Sequence, residues 1–123
     1  MRALLLVGLG GALGSMARYA IAVLMLQGAS TRFPFGTLAV NVVGCFAAGL
    51  LAGLSERHGW FTTDTRLLVF VGLLGGFTTF SAFGLDALAL MRRGETGWGF
   101  AYVVASVVLG LVAAFVGMRI AMR

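Results

Sequence analysis

Long apolar runs, separated by short polar connections, set the limits on what this chain can fold into. "ALLLVGLGGALG", "LAVNVVGCFAAGLLAGL", "LLVFVGLLGGF" and "VVASVVLGLVAAFVGM" follow one another along 123 residues. A helix of about 20 apolar residues crosses the roughly 30 Å of hydrocarbon in a bilayer. Four such spans fit, at about 3–26, 36–54, 67–91 and 98–118. What remains is tails and turns, too little for a soluble domain. The expected fold is therefore all-α and integral to a membrane, a single membrane domain over 1–123. Only 11% of the residues are charged, far below the share a soluble surface carries. An enzyme with an aqueous active site is not expected.

The net charge of +5 comes from arginine alone. Basicity can signal nucleic acid, but these arginines are scattered at span ends, where they anchor a chain in a membrane, and no nucleic-acid partner is expected. The N-terminal "RALLLVGLGGALG" has the outline of a signal peptide. Hydrophobicity resumes after Arg18 and continues to Leu26, so a retained first span is the expectation. Cys45 has no partner cysteine and reads as a small packing residue, and His58 as a solvated loop residue.

The connections "QGASTRFPFG" (27–36), "SERHGWFTTDTR" (55–66) and "RRGETGW" (92–98) carry the Gly, Ser, Thr and charge of turns. Trp60, Phe61 and Trp98 suit headgroup depth. Four spans place both termini and loop 55–66 on one side, here side A, and the other two loops on side B. Arg2, Arg57, Arg66, Arg119 and Arg123 fall on side A; Arg32, Arg92 and Arg93 fall on side B, with Arg18 nearest to it. Orientation follows a bias in such charges. Five against four is almost none, so insertion in both orientations is an expectation.

Polar residues within spans are costly, about 2.5–3.5 kcal/mol for a central Arg or Asp, and usually functional. Here Arg18, Thr37, Asn41, Asp86, Tyr102 and Ser106 all lie toward side B. Helical spacing puts Thr37, Asn41, Gly44, Cys45 and Ala48 on one face, and Tyr102, Ser106, Gly110, Ala113 and Gly117 on another. Helix packing explains the glycines, several of which have GxxxG spacing, but needs neither Arg18 nor Asn41. One copy offers a polar half and a sealed half. Two copies in opposite orientation would offer a polar vestibule to each side.

The stretch "GGFTTFSAFG" (75–84) occupies the centre of the third span. Gly and Thr are weak helix formers. The helix either breaks here, freeing carbonyls that could bind a small cation, or continues with a glycine notch. Spacing leaves both open. Phe80 and Phe83, three apart, read by pattern as ordinary packing. Their electropositive ring edges would also suit an anion.

"GGFTTFSAFG" at 75–84, "GTLAVNVVGCFAAG" at 36–49 and "GGALGSMARY" at 10–19 resemble the CrcB/Fluc family of bacterial fluoride channels, in the family's order and spacing across all four spans. The resemblance implies an antiparallel, dual-topology homodimer in the bacterial inner membrane, with two pores that passively export cytoplasmic fluoride and confer fluoride resistance. It implies that Asn41 hydrogen-bonds fluoride and that Phe80 and Phe83 turn ring edges toward it. Thr37, Ser81, Tyr102 and Ser106 match or adjoin the polar track, and Arg18 matches the arginine near the vestibule. Gly75 and Thr78 match a break whose carbonyls hold a structural sodium ion (Na+) on the dimer axis. The alternative is a small dual-topology, proton-coupled exporter of the small multidrug resistance type, which uses a glutamate in the first span; this first span has no acid. A holin-like structural protein would make no use of Asn41 with Phe80 and Phe83.

Overall fold

The computed structural model of the chain describes residues 1–28 and 32–123. Among these, every regular element is helical. Helix α1 is Arg2–Gly28 and α2 is Phe35–His58. The third span has two halves, α3 over 63–77 and α4, Phe80–Arg92. Helix α5 is Thr96–Ala121. Four helices are long and apolar enough to cross a membrane, counting 63–92 as one. They run past the expected limits, because a helix that satisfies its own backbone hydrogen bonds continues into the polar interface. Of the first connection expected at 27–36, residues 29–31 lie outside the described residues.

The helices pack as two glycine-lined pairs. Helix α1 lies along α3, and α2 along α5. In the second pair, a methyl group added at Gly49 would fall on the Ala114 carbonyl, and one at Gly117 on the Phe46 carbonyl. In a membrane, where lipid is as apolar as leucine, such close backbone approach supplies van der Waals contact that larger residues would prevent. Gly110 adds to this seam against the Cys45 sulfur, so Cys45 is a packing residue as expected.

The first pair is built differently. Gly10 meets the Leu68 carbonyl and Gly72, while Gly14, four residues on, meets the Leu73 carbonyl and Phe77. Positions four apart on α1 thus face positions five apart on α3. Residues Leu67–Leu74 match that register by winding as a π-helix, whose wider turn bonds each N–H five residues back. The Gly75 N–H accordingly reaches the Phe70 carbonyl.

Polar contacts tie down the side A end. The Arg66 guanidinium donates to the buried Ser55 hydroxyl at 3.0 Å, and Arg57 donates to the Ala121 carbonyl at 3.3 Å, where α5 runs out of internal donors. Arg2 pairs with Asp64 at 2.6 Å across the exposed surface. Toward side B, Ala87, Leu90 and Tyr102 form the most buried cluster, sealed by Phe33, Leu38, Phe83 and Val103.

Candidate functional site

The third span breaks at its centre. Thr78 and Thr79 adopt extended backbone (φ −79°, ψ 156° and φ −148°, ψ 115°) between the end of α3 and the start of α4. Gly75, expected within the break, is helical at φ −63°, ψ −37°. The glycine pair stays wound although glycine is a poor helix former. Gly76 packs on the backbone of Gly11, and the Gly75 N–H is already bonded. Tertiary contact overrides propensity there, and unwinding starts one turn later.

A break at membrane depth strands backbone donors and acceptors that water cannot reach. Residues from α1, α2 and the break itself take up several of them. The Asn41 side chain forms a two-way bridge with Thr79: its Oδ1 accepts from the Thr79 N–H at 2.8 Å, and its Nδ2 donates to the Thr79 carbonyl at 3.0 Å. A carboxamide has two N–H donors, so Asn41 keeps one for another acceptor. From the other side, the Ser15 hydroxyl (3.3 Å) and Arg18 Nε (3.2 Å) both donate to the Gly76 carbonyl. The Leu74 carbonyl accepts from both the N–H and the hydroxyl of Thr78. The Thr79 hydroxyl caps α4 by accepting from the Ala82 N–H at 3.1 Å. Among the described residues, no hydrogen bond reaches the Gly75 or Thr78 carbonyl oxygen.

Beside the break lies a cavity of about 440 Å³ whose lining includes Asn41, Gly75, Thr78, Phe80, Phe83 and Ser106. It is open on one side, where Phe80 is 84% exposed. The Phe80 and Phe83 rings lie 5.4 Å apart, tilted by 43°. The Ser106 Oγ is buried without a hydrogen-bond partner among the described residues. The Tyr102 hydroxyl is its polar neighbour, so this buried hydroxyl sits between the cavity and the Tyr102 side chain.

A second cavity, about 350 Å³, opens toward side B and contains Thr37 and Asp86. Tyr102 links the two. Its fully buried ring packs 5.4 Å from Phe83, and its hydroxyl donates to Asp86 Oδ2 at 3.5 Å. Of the residues singled out in the sequence, Asn41, Gly75, Thr78, Phe80, Phe83 and Ser106 thus share one cavity. Thr37 lies in the other, and Ser81 is exposed at 3.3 Å from the Thr79 hydroxyl. Arg18 lines neither cavity; its guanidinium is used on the break.

Two participants escaped sequence reasoning. Ser15 stands three residues before Arg18, on the same helical face, which is the signal that could have found it. Thr79 directly precedes "FSAF" and has the pattern of an N-cap in front of an apolar helix.

Residues 5–118 match the family described as CrcB-like protein, Camphor Resistance (CrcB). The chain is 48% identical over 121 residues to a protein of Methylobacillus flagellatus named "Fluoride-specific ion channel FluC", covering 98% of this chain and 94% of that one. A protein of the same name from Rhizobium meliloti is 49% identical over 120 residues, covering 98% and 96% of the two chains. One from Phenylobacterium zucineum is 48% identical over 124 residues, covering 100% and 98%. With matched sequence spanning all four apolar helices, this chain belongs to the CrcB-like family.

Proposed function

We propose that the protein is a passive, fluoride-selective channel of the bacterial inner membrane, not an enzyme, working as an antiparallel, dual-topology homodimer with two pores. The observation that carries this reading is the open cavity beside the break. It combines a spare Asn41 N–H, the Ser106 hydroxyl and the Phe80 and Phe83 rings, with no fixed cation among the described residues that line it. The names of the relatives supply the ion.

Fluoride is small and strongly hydrated, so entry must replace its water. Neutral donors and aromatic edges do this without a full charge. That matters because conduction needs sites that also release the ion. Phe80 lies toward the open side, which fits a ring that a second copy would enclose, while Phe83 packs half-buried against Tyr102. The near-even split of arginines between the two sides supports insertion in both orientations. Thr37, Tyr102 and Ser81 would extend the polar route from Ser106, and Arg18 would act by holding the break beside it.

The unbonded Gly75 and Thr78 carbonyls fit a hard monovalent cation, and these are the residues that would hold Na+. Bound there, the ion would supply positive charge between two like dipolar ends. Gly75 is exposed, and a methyl group on it would meet only the Phe70 carbonyl, at 3.7 Å. Within one subunit nothing forbids a side chain at Gly75, so a requirement for glycine there would come from the partner copy.

The test is electrode-monitored fluoride efflux from liposomes holding the purified protein, with chloride efflux alongside. Fluoride release without chloride release, indifferent to a proton gradient, is the expected result. Phe80→Ile and Phe83→Ile conserve volume and apolarity nearly enough to keep the fold and should remove most of the flux while eluting normally in gel filtration. Wild-type flux in both variants would reduce the rings to packing, and proton-coupled transport would favour the exporter.

A further inference from the structure

Around the side B rim, two cavities adjoin and share Arg32, Phe33 and Phe35. The first is the one already described, which also carries Arg93. The second, about 400 Å³, is a largely apolar groove with Arg32 and its partner Glu95 in the wall, the fully buried Leu90 as floor and Trp98, 62% exposed, at its mouth. Phe33 joins the two parts. Its ring packs 4.6 Å from Phe35 and edge-on to Trp98 at 5.8 Å.

The charges at this rim are unevenly matched. Arg32 has Glu95 at a loose 3.7 Å. The Asp86 carboxylate accepts from Tyr102. Arg93 donates to the Arg32 carbonyl at 3.3 Å, which holds the two arginines together. Among the described residues, no carboxylate lies within ion-pair reach of Arg92 or Arg93. A pair of guanidiniums beside an aromatic-walled apolar groove, at the end of membrane-spanning helices, matches an amphiphile with a phosphate at one end and hydrocarbon at the other. Arginine is the residue suited to phosphate oxygens, and tryptophan at a groove mouth suits the headgroup boundary.

We propose that this rim is a binding site for an anionic phospholipid, with its phosphate on Arg32 and Arg93 and one acyl chain along Phe35, Leu90 and Trp98. The site is independent of the ion that the protein conducts. If the chain inserts in both orientations, it serves both leaflets.

The chain has two tryptophans, so Trp60→Phe leaves Trp98 as the reporter in the full-length protein. Brominated phosphatidylglycerol should half-quench Trp98 at a mole fraction at least about fivefold lower than brominated phosphatidylcholine, since one of the two arginines alone would give that much at a charged membrane surface. Arg32→Gln with Arg93→Gln should bring that ratio toward one. The reciprocal Trp98→Phe chain reads Trp60, in the arginine-bearing loop of side A, and should show a clearly smaller preference. Soluble glycerol 3-phosphate should leave the Trp98 ratio unchanged. Equal quenching by the two lipids at Trp98, or the same preference at Trp60, would overturn the proposal without recourse to the variants. Displacement of the lipid by glycerol 3-phosphate would overturn its acyl half.

Discussion

The α2–α5 seam and the α1–α3 seam are both closed by glycine, yet they do different work. Along α2 and α5, Gly49 and Gly117 bring backbones together, and the middle of the seam is held by packing; Arg57 donates to the Ala121 carbonyl at its end. Along α1 and α3, the same close approach delivers Ser15 and Arg18 to the Gly76 carbonyl, just before the helix unwinds. The difference is instructive. Small residues set how near two backbones come, but polar residues at the same spacing decide whether that nearness supports a break. The first seam leaves a regular scaffold. The second, with Asn41 reaching across from α2, makes an irregular backbone tolerable in hydrocarbon.

The comparison can be broken at the scaffold. Gly49→Val puts bulk against the Ala114 backbone, which cannot move aside like a side chain. It should cost about 3 kcal/mol, the upper part of the range for overpacking. Thermal melting in detergent and gel filtration would read this as early aggregation. Gly8, with nothing near its missing side chain, should accept valine with little change. A stable Gly49→Val protein would mean that the seam is looser than its geometry.

Asn41 offers a smaller and more selective effect. Asn41→Leu keeps the size but removes both bonds to Thr79, leaving a donor and an acceptor unsatisfied away from water. A loss of about 2 kcal/mol is expected. Fluoride efflux should fall far more than stability does, since the remaining N–H goes as well. Equal loss of both would make Asn41 a structural clamp only.

The smallest effect separates Ser15 from Arg18. Both donate to one carbonyl, so Ser15→Ala still leaves it bonded and should cost under about 1 kcal/mol. Arg18→Gln with Ser15→Ala should exceed the sum of the single changes, because only the double variant risks an orphaned Gly76 carbonyl. A double-mutant cycle of melting temperatures reads this, and strict additivity would show that the two bonds are independent of each other.

The amino-acid sequence by itself determined the class of fold. Apolar run lengths specify four membrane-crossing helices, because only about 20 residues of unbroken apolar helix satisfy both hydrocarbon and backbone. It also put Asn41 and Ser106 toward side B of their own spans and Phe80 and Phe83 just past the centre of the third, and "GGFTTFSAFG" marked that span as irregular. Where the backbone unwinds was not legible. Propensity marked the glycines and the threonines of "GGFTT" alike, whereas only Thr78 and Thr79 are extended. Gly76 is held in the helix by its contact with Gly11, a neighbour sixty-five positions away in sequence. The π-helical winding over Leu67–Leu74 has the same origin, since it answers a register that α1 imposes. Nor could spacing reveal that Asn41 bonds both backbone groups of Thr79 while lining an open cavity, or that Arg18 is used on a carbonyl. Local sequence governs whether a helix can form. Which backbone groups lose their partners, and which side chains replace them, depends on how distant helices meet, and only the tertiary structure decided that.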